Sequence, residues 1–286
     1  MEKPLKNQSN PQPRRLKRQL QRTARRVLPF MASLFMVAPM ASPISKSLAG
    51  GRAPAAAAPK PAVPSTPSRA VRFSQQLRGV YAALQAEQQG LRFEVFAKAM
   101  TGYLNLRQHG KLASDKSLLT VVDFDLPSTV KRLWVLDLTN RRVLFNTLVA
   151  HGHNTGENEA TMFSNTVESN MSSLGFYLTQ NEYIGKHGRS LKLQGLDEGF
   201  NTNAEARAVV MHGAEYVSED FIRQNGRLGR SLGCPALPMD QYSAIIDTVS
   251  DGTCLFISKS DAGYDSQFLS QEVAIAAWLP EEQPAS

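Results

Sequence analysis

The stretch Val209–Leu237, VVMHGAEYVSEDFIRQNGRLGRSLGCPAL, holds the side chains best suited to covalent chemistry. A strand-like run delivers His212 into Gly213, and Ser231-Leu232-Gly233-Cys234-Pro235 follows. Acyl transfer by a thiol needs a thiolate, a base to generate it and donors for the oxyanion. Histidine is the side chain whose unperturbed pKa suits that base near neutral pH. Gly233 lets a substrate carbonyl approach the backbone beside the thiol, and Pro235 fixes the chain after it. Polar Arg230 and Ser231 precede Cys234, so the loop is built to present this thiol rather than bury it. The other cysteine, Cys254, sits in the apolar run Thr253-Cys254-Leu255-Phe256-Ile257 and reads as a core thiol. A disulfide between the two is the competing reading, since exported proteins either pair cysteines or avoid them.

The remaining histidines offer rivals. His187, in Lys186-His187-Gly188, is a second candidate base, a pocket-lining group or a structural residue. His151 and His153 lie in a Gly/Asn-rich loop with Glu157 and Glu159, but without a known metal-ligand spacing. No metal and no cofactor is expected.

These residues need a scaffold. Phe93, Phe96, Ala97, Met100, Tyr103 and Leu104 recur at helical spacing, which predicts an amphipathic helix ending at Gly110. A second amphipathic stretch precedes it around Val80–Ala86. After residue 117 the texture becomes β-branched and alternating. Strands are expected at Leu118–Phe124, Arg132–Leu138, Val143–Val149, Gly175–Thr179, Leu191–Leu193, Ala208–Met211 and Thr253–Ser258, with a hairpin turn at Thr139-Asn140. A helix of about ten residues should start near Pro238, which suits a first helical turn. The expectation is an α+β, β-rich domain over 118–260, mostly antiparallel, preceded by a helical segment over 70–117 and followed by a tail, 261–286.

The formal charge of +7 suggests nucleic acid, but its distribution removes that reading. Residues 1–26 carry nine Lys/Arg and one acid, whereas 21 bases face 24 acids from residue 53 onward. The basic stretch runs into an apolar segment, Val27–Ala41, too short and too Pro-broken for a comfortable membrane span. Residues 1–49 therefore read as an export signal with small residues near Ser47-Leu48-Ala49, or alternatively as an uncleaved anchor that would tether the chain to a membrane. Residues 50–69, rich in Ala, Pro and Ser, form a linker. The chain is expected in the periplasm or cell envelope. Its oligomeric state is not legible.

The His-Gly pair followed by Ser-x-Gly-Cys is similar to the signature of the L,D-transpeptidase catalytic domain, the YkuD-like fold. Leu118–Ile257 resembles one subgroup, the murein L,D-transpeptidase catalytic domain family, through RLWVLDL, LFNTLVAHG, FSN, SSLGFY, GKHGRSL, HGAEYVS, GRLGRSLGCPAL and CLFIS in order. VVDFDLPS and the helical part before it resemble the same subgroup. The resemblance implies a β-sandwich or barrel-like catalytic domain acting on peptidoglycan stem peptides. In it Cys234 would be nucleophile and His212 general base, the shorter spacing favouring His212 over His187. Gly213 would orient the imidazole through its carbonyl, the N–H groups of Gly233 and Cys234 would form the oxyanion hole, and Ser231 would support the loop. Ser173 and Tyr177 fall in a segment that the resemblance places near the donor cleft. The commoner signature has His where this chain has Leu232, and often Arg where it has Ala236. Arg227 and Arg230 are candidates to supply that missing charge to a substrate carboxylate. An L,D-carboxypeptidase uses the same Cys and His, and a non-catalytic wall-binding module is the remaining alternative.

Overall fold

The computed structural model describes residues 67–279 apart from 187, 261 and 262. The expected leader, its cleavage or anchoring segment and most of the linker lie outside the described residues. Helix α1 (Arg69–Ala83) starts where Ser68 accepts a hydrogen bond from the Val71 N–H, satisfying a first-turn donor. Helix α2 (Phe93–Gln108) carries the predicted apolar face. Among the described residues no helix is long and apolar enough to cross a membrane.

Eight strands among the described residues form one mixed sheet: β1 (Leu118–Asp123), β2 (Leu133–Asp137), β3 (Arg142–Thr147), β4 (Gly175–Gly185), β5 (Gly188–Gly195), β6 (Val210–Gly213), β7 (Ala236–Leu237) and β8 (Cys254–Ser258). Their order is β3-β2-β1-β8-β4-β5-β6-β7. The β2–β3 hairpin forms as expected, with the Asp137 carboxylate accepting from the Asn140 N–H in its turn. The expected antiparallel character holds for most pairs, but β1 pairs β8 in parallel and β6 pairs β7 in parallel. Beyond β3, Ala150 makes an antiparallel bridge to Ala236 in β7, so the two edges of the sheet meet and it nearly closes into a barrel.

Alternation along each strand divides the core in two. Leu119, Val121, Trp134, Leu136, Cys254 and Phe256 face the helical layer. Val122, Leu133, Val135, Leu255 and Ile257 face the other cluster, with Ile245 and Ile246 of α4 (Tyr242–Val249). Two further helices, α3 (Glu219–Asn225) and α5 (Gln271–Trp278), complete the described elements. The segment expected as a tail thus contributes structure: Ala274 of α5 is buried with α2 in the first cluster. The helical part is therefore a layer on the sheet, held partly by the Trp134 indole N–H donating to the Gln89 carbonyl and by Arg92 bridging Asp123 and Asp125.

Gly102 sets how closely that layer sits. A Cβ there would fall 2.0 Å from the Phe176 ring, which is itself stacked on Phe256 at 4.3 Å and cannot retreat. Gly102→Ala is expected to lower the urea midpoint, because overpacking costs about 1–3 kcal/mol and outweighs a helix-propensity gain of about 1 kcal/mol.

Candidate active site

Strand β6 lies between β5 and β7, and all four of its residues are buried. It delivers His212, 2% exposed, opposite Ser190 of β5 and Ala236 of β7. The His212 Nδ1 lies 2.9 Å from the Gly213 carbonyl oxygen. A carbonyl can only accept, so Nδ1 carries the proton and Nε2 is the basic nitrogen of the neutral ring. Gly213 is packed against Tyr242 and Met239, where a Cβ would fall 2.6 Å from the tyrosine ring. A larger residue there would displace the carbonyl that fixes the imidazole.

Cys234 stands two residues before Ala236, just ahead of β7, as Val210 stands two before His212 in β6. The parallel register therefore sets the cysteine beside the start of β6. The Val210 N–H donates to Sγ at 3.4 Å, and Sγ–H donates to the Ala208 carbonyl at 3.7 Å. Both cysteines are free thiols, with Cys234 half-buried and Cys254 fully buried on the helical side of the sheet. Burial pushes the Cys234 thiol up from its ordinary value, while the Val210 N–H and the charges of Arg207 and Lys186 pull it back.

The loop before the cysteine is pinned at each residue but one. Ser231 pairs through its backbone with His151 and His153 at 3.0 and 2.7 Å. Its hydroxyl donates to the Cys234 carbonyl at 2.7 Å and accepts from the Gly233 N–H at 3.0 Å. Gly233 has φ +122, and its carbonyl accepts from the Ser172 hydroxyl at 3.2 Å. A Cβ on Gly233 would meet the Met171 carbonyl oxygen at 2.7 Å. Leu232 alone projects outward, 63% exposed. Cys234, His212, Ser231 and Leu232 line one cavity of about 260 Å³, together with Lys186, Arg207 and Arg230. A cleft of about 540 Å³ near Lys131, Glu215 and Met239 holds neither cysteine nor histidine.

This arrangement coincides with a match to the family model described as the L,D-transpeptidase catalytic domain, over residues 87–258. The chain belongs to that family. The matched L,D-transpeptidase domain begins within the helical layer rather than at β1. The fold is also similar to solved structures of low identity. An L,D-transpeptidase from Mycobacterium smegmatis is 15% identical with a TM-score of 0.32, covering 50% of this chain and 58% of that one. The helical cell shape determining protein Pgp2 from Campylobacter jejuni is 15% identical with a TM-score of 0.36, covering 63% and 61%. An L,D-transpeptidase from Xylanimonas cellulosilytica is 13% identical with a TM-score of 0.30, covering 70% and 100%. The chain spans about three fifths of the first two of these. Comparison with curated proteins gives no match.

Within the L,D-transpeptidase domain the expected residues are placed unevenly. The Gly233 N–H, expected in the oxyanion hole, is taken by Ser231, which leaves the Cys234 N–H as the other donor of that pair. Arg230 reaches the cavity, but its guanidinium is held by Glu157 at 2.7 Å and by the carbonyls of His153 and Gly156. Arg227 pairs with the same carboxylate at 2.9 Å and is not on the cavity wall. Ser173 is buried and donates to the Ser164 carbonyl at 2.9 Å. Tyr177 corrects the expectation more sharply. Its side chain is 0% exposed in the core and its hydroxyl donates to the Ser173 carbonyl, so it cannot meet substrate. His187 lies outside the described residues.

One of the two signature departures has a physical reason. Ala236 is 0% exposed in the seam against Ala150, where an arginine would have neither room nor solvent. The His151 imidazole is buried and accepts from Arg132 at 2.8 Å; burial first, then the Arg132 charge, pushes its pKa down to about 4. Among the described residues no group of three metal-ligating side chains assembles. Sequence reasoning missed Tyr183, Lys186, Tyr216 and Arg207 on the cavity wall; Arg207 lies in a turn marked by the left-handed Ala208 beside it, φ +50.

Proposed function

We propose that the protein is a cysteine-dependent acyltransferase of the cell envelope that cross-links peptidoglycan stem peptides. The observation that carries this reading is the pairing across β6 and β7: a half-buried Cys234 and an imidazole fixed by the Gly213 carbonyl open into one cavity. His212 Nε2 takes the thiol proton, and the thiolate attacks the carbonyl carbon of the third stem residue, a diamino acid. Collapse breaks the amide to the terminal D-Ala, whose nitrogen takes the proton back from His212, and a thioester remains. A side-chain amine of a second stem then attacks the thioester, loses a proton to His212 and expels the thiol. The Cys234 N–H is a donor for the oxyanion in both halves.

Water in place of the amine would make the same residues an L,D-carboxypeptidase. Purified protein incubated with a tetrapeptide-stem muropeptide separates the two readings. A cross-linked dimer is expected. Tripeptide without dimer would replace the transferase reading with hydrolysis. Absence of both products, with no labelling of Cys234 by a carbapenem, would leave a wall-binding module.

A further inference from the structure

Arg207 is a charged group on the cavity wall with no role in this chemistry. Arg207 donates from Nη1 to the Ser164 carbonyl at 2.7 Å and to the Ser173 hydroxyl, and from Nη2 to the Ser169 hydroxyl at 3.2 Å and to the Met171 carbonyl. All four acceptors are neutral. Among the described residues no carboxylate lies within ion-pair distance of it, whereas the neighbouring Arg230 is already committed to Glu157. Its Nη2 lies 3.1 Å from where a Gly233 Cβ would be, directly beside the cysteine loop. Among the described residues no acidic side chain lines the cavity; its other ionisable groups there are Lys186, Arg230, His212, Tyr183, Tyr216 and Cys234 itself. A half-buried cation without a counter-ion favours whichever neighbouring group can become an anion.

We propose that Arg207 is a positioning residue whose guanidinium, clamped by the Ser164–Ser173 loop, stabilises the Cys234 thiolate. The proposal rests on Cys234 being the reactive thiol. The same short turn serves both protonation states. The Ala208 carbonyl accepts the S–H while the thiol is protonated; the Val210 N–H and the Arg207 charge act on the sulfur once the proton has gone. Attraction between Arg207 and the ionised sulfur opposes the upward push of burial.

The test is the pH dependence of Cys234 alkylation by iodoacetamide on the full chain, read by mass spectrometry of the Cys234 peptide so that Cys254 does not enter. Arg207→Gln is expected to move the midpoint up by about one pH unit and slow alkylation at pH 7 about tenfold. Arg207→Lys, which keeps the charge, should recover most of that loss. Ser169→Asp sets a carboxylate against the guanidinium from a half-exposed loop, and should also raise the midpoint. A midpoint unchanged in Arg207→Gln overturns the proposal, as does a rate lowered equally at every pH. If Arg207→Gln does not fold, an unchanged midpoint in Ser169→Asp overturns it instead. Because alkylation reads the thiol and not turnover, a shifted midpoint without muropeptide products refutes the proposed function and leaves this inference standing.

Discussion

Cys234→Ser is expected to abolish dimer formation from tetrapeptide stems, a loss of at least about a thousandfold in turnover. A serine hydroxyl ionises far less readily than a thiol, and the Gly213 carbonyl that orients His212 carries no charge to make the imidazole a stronger base. The loss should not come from unfolding. Cys234 is half-buried, and its contacts through sulfur are one long N–H bond and one carbonyl. Cys254→Ser makes the matched control. That thiol is fully buried beside Phe256, so a hydroxyl there costs about 1–3 kcal/mol in the urea midpoint while turnover at permissive temperature stays. Full turnover by Cys234→Ser, with intact dimer yield, would remove the nucleophile from the scheme.

The second large effect belongs to His212. Replacing it with glutamine removes the proposed base, and a loss of about 10²–10⁴-fold in kcat is expected. The pH profile should change along with the amplitude. Burial holds the Cys234 thiol above its ordinary value, so less thiolate exists at neutral pH than for a free cysteine. With no base, the remaining rate follows the thiol's own ionisation and rises with pH through the alkaline range. In the wild type that rise should come earlier. Kinetics from pH 6 to 10 on both proteins check this, with circular dichroism to show that the buried site still folds. Equal profiles would mean that another group activates the thiol.

The positions of Cys234 on a presented loop and of His212 on a strand were legible because their signals are local. A glycine, a proline and polar residues around Cys234, and a strand running into His212, mark a presented thiol and a delivered imidazole within a few positions. Ser231 was legible for the same reason. The strands followed from alternation, but the parallel pairing of β1 with β8 joins segments more than a hundred residues apart, and no local pattern encodes such a register. β7 escaped because two residues carry no period. The burial of Tyr177 was not legible because the start of β4 is covered on both faces, Gly175, Phe176 and Tyr177 in succession, so no alternation separates a core side from an open one. Arg207 was invisible for a different reason. It sits in an undistinguished turn, and its importance comes from a loop some forty residues earlier that closes around it.

Leu232 turns the rigidity of the cysteine loop to practical use. Its neighbours are tied on both sides, Ser231 to His151 and His153 and Gly233 to Ser172, so the position between them is a fixed outward mount beside Cys234. A side chain there can change without being asked to hold the loop together. A tryptophan at this place would give the enzyme an optical reporter on the rim of its own cavity, sensing peptide arrival before any bond is made. The buried Trp134 is shielded from that event by the body of the sheet. Acylation and encounter, which product analysis reads as one, would then become separable in time.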